Sequence, residues 1–272
     1  VREFVDECRK ADIVPFFYHT LLDWREPSYE ADFPEYLKYL RKSVELLCTN
    51  YGKIGGFWFD GKWDKKQADW EEDALYGLIR KHQPDAMIIN NTGLSARGEL
   101  GHIELDSVTF ERGRPQPINM ADSPKYIASE MCQTLGCVWG YGEDDLLYKS
   151  PQTLIEDICT CRKYGANMLL NVGPMDNGHI RPLDAELLKV VGKWVKIYKE
   201  ALYTARPTDI SIDGKPNDFI LKDGKTYYMF CSNVSMGGDG NVVVWDSDGN
   251  HINRFALSEK IQRITWIDNG RE

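Results

Sequence analysis

The 272-residue chain has no apolar run near the roughly 20 residues needed to cross a bilayer, so no membrane span or membrane partner is expected. It also lacks an excess of positive charge. Its 33 Lys and Arg are outnumbered by 42 Asp and Glu, for a formal net charge of -9, which repels phosphate backbones and argues against a nucleic-acid partner. Seven cysteines, at 8, 48, 132, 137, 159, 161 and 231, show no repeated pair spacing of the kind that marks a zinc site or a disulfide framework. They read as free thiols, and Cys159 and Cys161, two apart on one expected helix, point to different faces. No Gly-rich nucleotide loop and no Ser-His-Asp set is recognisable, so neither metal nor cofactor is expected. No signal peptide opens the chain, and the compartment stays open between cytoplasmic and exported. Val1 to Ala11 reads as helix from its first residue, as though an upstream segment had been removed.

What the chain does have is apolar and aromatic surface: 42% of residues are hydrophobic and 12% aromatic, including 8 Trp and 14 Tyr. A globular chain follows, and flat aromatic faces with a polar edge suit neutral sugar rings. Short β-branched or aromatic runs alternate with segments of helical period. Strands are expected at Ile13 to Tyr18, Ile54 to Phe59, Ala86 to Asn90, Ser107 to Phe110, Cys137 to Trp139 and Asn167 to Val172. Helices are expected at Phe33 to Tyr51, Ala68 to His82, Pro124 to Gln133, Pro151 to Tyr164 and Asp184 to Lys199. Crossover helices imply parallel strands, buried on both faces, as the continuous apolar runs at 54 to 59 and 168 to 172 require.

Polar residues fall at or just past the strand ends: Tyr18, His19, Asp60, Asn90, Asn91, Glu111, Tyr141 and Asn171. In a (β/α) barrel these ends share one rim, where reacting groups sit. The expected fold is therefore α/β, a TIM-like barrel over 1–204 with about two strand-helix units missing from the front. After Pro207, alternating runs with turns at Asp213-Gly214, Asp223-Gly224 and Asp248-Gly249 predict a small antiparallel β-sandwich domain over 205–272. It stops at Asn269-Gly270 with no returning strand.

Asp60 closes the buried run Gly55-Gly56-Phe57-Trp58-Phe59 and is followed by Gly61, which lets the chain turn away. From spacing alone it reads either as a cap for the next helix or as a reacting carboxylate. Trp58, two residues earlier, shares its face. Glu111 ends Ser107-Val108-Thr109-Phe110 and reads either as an ion-pair partner of Arg112 or Arg114 or as a second reacting acid, with Glu104 and Asp106 as competitors. Two carboxylates at an aromatic-lined mouth suit acid and nucleophilic work on a glycosidic bond. His19 reads either as a locally satisfied side chain or as a donor to a sugar hydroxyl. His82 reads as a helix-end residue, His179 as part of a turn, and Glu143, Asp144 and Asp145 as either a solvated loop or a subsite rim.

At these residues the chain resembles the α-L-fucosidases of glycoside hydrolase family 29. The likeness runs through Phe17-Tyr18-His19-Thr20-Leu21-Leu22-Asp23-Trp24, Trp58-Phe59-Asp60-Gly61, Ile88-Ile89-Asn90-Asn91, Thr109-Phe110-Glu111, Trp139-Gly140-Tyr141 and Gly165-Ala166-Asn167-Met168-Leu169-Leu170-Asn171-Val172-Gly173-Pro174, then Gly178, Trp194, Glu200-Ala201-Leu202-Tyr203 and Arg206-Pro207. The resemblance implies a retaining exo-hydrolase that releases α-L-fucose, with Asp60 as nucleophile and Glu111 as acid/base. Trp58, Tyr18, His19, Arg97 and Trp139 would contact the sugar. The implied partner is a fucosylated oligosaccharide or glycoconjugate, with a homo-oligomer possible. The family's His-Trp and His-His-Asp-Gly segments are absent, which leaves open an alternative: a fucose-binding fragment without turnover.

Overall fold

The computed structural model, which describes residues 1–120, 123–210 and 217–230 and the backbone of 241–245 and 251–256, alternates strands and helices through its first two hundred residues. Its contacts fall into two compact units, Val1–Gln133 and Thr134–Glu272.

The first unit opens with α1 (Arg2–Lys10) and then carries β1 (Phe16–Thr20), α2 (Ser28–Ala31), α3 (Phe33–Asn50), β2 (Gly56–Asp60), α4 (Glu72–His82), β3 (Met87–Asn90), β4 (Ser107–Glu111) and β5 (Ala128–Thr134), whose last residue enters the second unit. Each strand pairs in parallel with the next. The helices form where the sequence supplies both ends. Asp32 caps α3 by accepting from the Glu35 N–H at 3.2 Å, with Pro34 in the first turn. In α4, Glu72 and Asp73 occupy the first turn and Arg80, Lys81 and His82 the last, which matches the helix dipole.

Burial sorts the strand faces. Phe57, Phe59 and Ile88 are fully buried and pack with Leu40 and Val44 of α3 and Leu75, Tyr76 and Ile79 of α4. Residues in register across a parallel ladder point the same way. Tyr18 opposite Trp58, and Thr20 opposite Asp60, therefore share the face turned away from those helices. Gly56 is required by close approach: its φ is 155°, and a Cβ there would sit 2.1 Å from the Met87 carbonyl oxygen.

Five of the six expected strands form within a few residues of their predicted bounds. The sixth is a correction. The segment expected as a helix, Pro124 to Gln133, holds β5, and the expected strand Cys137 to Trp139 is irregular. Ala128, Glu130, Met131 and Gln133 are helix formers, but pairing along β4 from Ser107↔Ala128 to Glu111↔Cys132 and burial of Met131 and Cys132 outweigh that local preference.

The second unit contains α5 (Pro151–Lys163), β6 (Asn167–Asn171), α6 (Pro182–Ile197) and α7 (Lys199–Tyr203), followed by strands of antiparallel pairing. β7 (Arg206–Pro207), β8 (Phe219–Asp223) and β9 (Thr226–Phe230) form one sheet, and β10 (Asn241–Trp245) pairs with β11 (His251–Ala256). Asp223 pairs with Thr226 around Gly224, whose φ is 56°, as the Asp-Gly signal predicts. Expectations at Asp213-Gly214, Asp248-Gly249 and Asn269-Gly270 lie outside the described residues. The fold class is thus α/β, a parallel strand-helix repeat of the barrel kind followed by small antiparallel sheets. No described helix is long and apolar enough to cross a membrane.

Replacing Phe59 by Ala empties a fully buried site between β2 and its helices and is expected to cost about 3–5 kcal/mol. Gly56→Ala, which forces β2 from β3, is expected to cost about 1–3 kcal/mol. Urea unfolding followed by circular dichroism checks both; midpoints equal to the parent's would contradict the packing described.

Candidate active site

The end of β2 delivers Asp60 half-buried on the face opposite the helix layer. Gly61 follows with φ 104°, and a Cβ there would lie 2.8 Å from Leu22, so only glycine makes this turn without strain. Four donors converge on the carboxylate. The Tyr18 hydroxyl donates to Oδ2 at 2.7 Å, while the Gly61 N–H (2.8 Å), the Trp63 indole N–H (3.1 Å) and Asn91 Nδ2 (3.3 Å) reach Oδ1. They fix the carboxylate's orientation and complement its charge. Tyr18 also stacks on Trp58 with centroids 5.5 Å apart and planes 19° from parallel. Desolvation first, then the Asp60 bond and the charges of Asp60 and Glu111, raise the Tyr18 pKa, so the phenol stays a donor.

Asn91, only 2% exposed, joins the two acids. Its Oδ1 accepts from the Thr109 hydroxyl at 2.9 Å and the Gly93 N–H at 3.1 Å, which leaves the amide nitrogen facing the carboxylates. That nitrogen donates to Glu111 Oε2 at 2.8 Å as well as to Asp60. A shared donor atom holds the two carboxylate oxygens no more than about 6 Å apart, close to the separation of about 5–5.5 Å found in retaining glycosidases.

Glu130 brings a third carboxylate. It accepts from the Trp58 indole N–H at 3.0 Å and stands opposite Thr109 in the β4–β5 register. The buried Cys132 thiol registers all three acids: burial, then the charges of Glu111, Glu130 and Asp60, push its pKa up to about 12. Among the described residues, no group of three or more His, Cys, Asp or Glu is arranged to hold a metal ion.

The other expected residues divide. Arg97 lies beside Glu111, its Nε donating to the Glu111 carbonyl oxygen. His19 is a correction: one residue on from Tyr18, it faces the helix layer, bonded through Nε2 to Ser43 of α3 at 2.8 Å and packed edge-on to Phe59. Burial lowers its pKa, against the opposing pull of the Thr20 carbonyl. Glu104 and Asp106 are occupied elsewhere. Arg80 bonds both, and Lys125 and the Ile88 N–H also reach Asp106. Burial would raise the Asp106 pKa, but these bonds and the Arg80 charge outweigh it and hold the pKa low.

Trp139 belongs to the second unit, where its carbonyl accepts from Asn171 Nδ2 at 2.6 Å. The loop that follows is gripped by Arg181. Its guanidinium donates to the carbonyls of Gly142, Glu143 and Asp145 and to the Tyr148 hydroxyl, and it lies over the Tyr141 ring. Asp145 accepts from the N–H groups of Cys137 and Val138, so it braces the loop from inside instead of facing solvent as a simple acidic rim.

Sequence period could have paired Asn91 with Asp60, since both follow strand ends; its bridging role is a tertiary property. Glu130 was hidden by the helical reading of its segment. Trp63, three residues after Asp60, carried no separate signal.

A family model described as Alpha-L-fucosidase matches residues 1–200. Tissue alpha-L-fucosidase of Mus musculus is 29% identical over 218 residues, 76% of this chain and 46% of that protein. The Homo sapiens protein is 27% identical over 219 residues, 76% of this chain and 45% of its own length. The chain spans about half the length of the curated relatives it matches. Alpha-L-fucosidase isoenzyme 1 from Paenibacillus thiaminolyticus superposes with a TM-score of 0.70 at 26% identity, covering 93% of this chain and 66% of that one. A GH29 alpha-L-fucosidase from Bacteroides thetaiotaomicron shares the fold at a TM-score of 0.69 and 22% identity, covering 96% and 67%. With its strand-end carboxylates in place and the family match running over its first 200 residues, the chain belongs to the alpha-L-fucosidase family.

Proposed function

We propose that this site hydrolyses α-L-fucosides at the non-reducing end of glycans with retention of configuration. The observation that carries the reading is the single Asn91 Nδ2 bonded to both Asp60 and Glu111. Asp60 attacks the anomeric carbon and forms a glycosyl ester as the glycosidic C–O bond breaks. Glu111 gives its proton to the departing oxygen. Water then attacks the same carbon, yields its proton to Glu111, and releases Asp60 as carboxylate. Tyr18 and Trp58 form a pocket wall, and Arg97 is assigned to sugar contact on the family resemblance.

Glu130 is the second reading for the proton-transfer role, favoured by its bond to Trp58, the indole that stacks on Tyr18. A further alternative is fucose binding without turnover. Calorimetry with fucose beside a turnover assay separates binding from hydrolysis.

Asp60→Gly is expected to abolish turnover of an aryl α-L-fucoside, with azide restoring some reaction as a fucosyl azide of inverted configuration; wild-type activity in this variant would refute the assignment. Glu111→Gln is expected to lower kcat/KM for a poor leaving group by about 10²–10⁴, far more than for an activated aryl leaving group, with azide giving retained configuration. If Glu130→Gln shows that pattern and Glu111→Gln does not, proton transfer belongs to Glu130.

A further inference from the structure

Three of the four donors to Asp60 sit on segments that one side chain outside the site ties down. Gly61 and Trp63 flank Lys62 in the turn after β2, and Asn91 follows Asn90, the last residue of β3. Lys62 and Asn90 both bond Glu72, the first residue of α4. The Lys62 ammonium pairs with Glu72 Oε2, and Asn90 Nδ2 donates to Glu72 Oε1 at 3.2 Å. Tyr76, one turn along α4 and fully buried, donates to the same Oε1 at 3.0 Å and accepts from Asn90 Nδ2 at 2.9 Å. Among the described residues Asn90 Oδ1 accepts no hydrogen bond, so this side chain, only 3% exposed, is held through Nδ2 to Glu72 and Tyr76. The Glu72 side chain is 16% exposed and that of Lys62 31%, so the pair is shielded from much of the water that weakens a surface ion pair.

We infer that Glu72 is a positioning residue for the attack by Asp60: it holds the turn after β2 and the end of β3 at the spacing that brings Gly61, Trp63 and Asn91 onto one carboxylate. This rests on the hydrolase reading, since attack by Asp60 is what the placement serves. Its action is indirect and runs through the backbone. Neighbouring side chains of a strand leave on opposite faces, so fixing Asn90 against α4 fixes the direction in which Asn91 sets out. The turn after β2 is closed by the Asp64 N–H, which donates to the Gly61 carbonyl at 3.1 Å, and Lys62 fastens that closed turn to α4. Without the Glu72 carboxylate, the Lys62 ammonium, the Asn90 amide and the Tyr76 hydroxyl each lose an acceptor in a place with little water, and the turn relieves that cost by moving outward. Trp63, held to Asp60 by one bond at 3.1 Å, then parts from the carboxylate, and Asp60 loses part of the orientation that attack on a bound carbon needs.

The test compares Glu72→Ala and Glu72→Gln with Ile79→Ala, which empties a fully buried position two turns along α4 and reports the effect of lost stability alone. The substrate is phenyl α-L-fucoside, whose poor leaving group keeps the first displacement rate-limiting. Glu72→Ala is expected to lower kcat about tenfold or more with KM within about threefold, and Glu72→Gln, which keeps a carbonyl acceptor for Tyr76 and Asn90, to recover part of that loss. Ile79→Ala is expected to stay within about twofold of the parent. The indole N–H resonance of Trp63 in protein labelled with 15N-tryptophan, assigned through Trp63→Phe, supplies a readout independent of turnover; it shifts in Glu72→Ala and stays in place in Ile79→Ala. Lys62→Met cuts the ion pair from its other end, moves the same resonance and lowers kcat, and it carries the test where Glu72→Ala does not fold. An unmoved Trp63 resonance in the Glu72 or Lys62 variant overturns the positioning role, as does a parent-like kcat or an equal loss of kcat in Ile79→Ala. A parent that cleaves no fucoside overturns the hydrolase reading instead, and the Trp63 resonance then shows whether Glu72 places the donors to Asp60.

Discussion

The amide nitrogen of Asn91 donates to Asp60 and to Glu111 at once, and its orientation is set by the Thr109 hydroxyl and the Gly93 N–H on its other end. A buried donor shared by the two carboxyl groups would offset part of their repulsion whenever both are ionised, and it fixes the gap between them. Asp60 comes from the end of β2 and Glu111 from the end of β4, and the bridging residue lies between them just past β3. The spacing of the acids is therefore a product of the ladder, and a change in strand register would separate them before it disturbed either side chain's own loop.

The same ladder segregates chemistry by face. Along β1, Tyr18 meets Trp58 and Asp60 while His19 meets Ser43 and Phe59; past β3, Asn91 serves the acids while Asn90 bonds Glu72 and Tyr76 of α4. Adjacent polar residues thus have different work, one at the face that carries Asp60 and Glu111 and the other satisfying the helix layer. Asp106 and Glu104, at the opposite end of β4 from Glu111, are absorbed by Arg80 into a structural ion-pair group.

Much of this was legible from the chain alone, and the exceptions have physical causes. The continuous apolar run of β2 reflects a strand covered on both faces, whereas β6, marked by the same signal, leaves Leu169 39% exposed. Period two put Trp58 beside Asp60, and the same period applied to Tyr18 and His19 would have sent the histidine outward. β5 was not legible: Ala128, Glu130, Met131 and Gln133 prefer helix, and only the β4 neighbour makes them a strand. With the strand hidden, Glu130 had no face to be assigned to. Trp63 and Arg97 lie on turns, where no periodicity says which way a side chain points.

The Arg181 grip on the loop after β5 has an additional property. Three of its four bonded partners are main-chain carbonyls, at Gly142, Glu143 and Asp145, and a carbonyl is the same whichever side chain its residue bears. The contour of this loop is thereby uncoupled from the chemistry displayed on it: Glu143 and Asp144 can be exchanged for neutral, basic or aromatic residues while the clamp keeps its donors filled. A loop held this way can vary the side chains it displays without reopening the question of whether it folds.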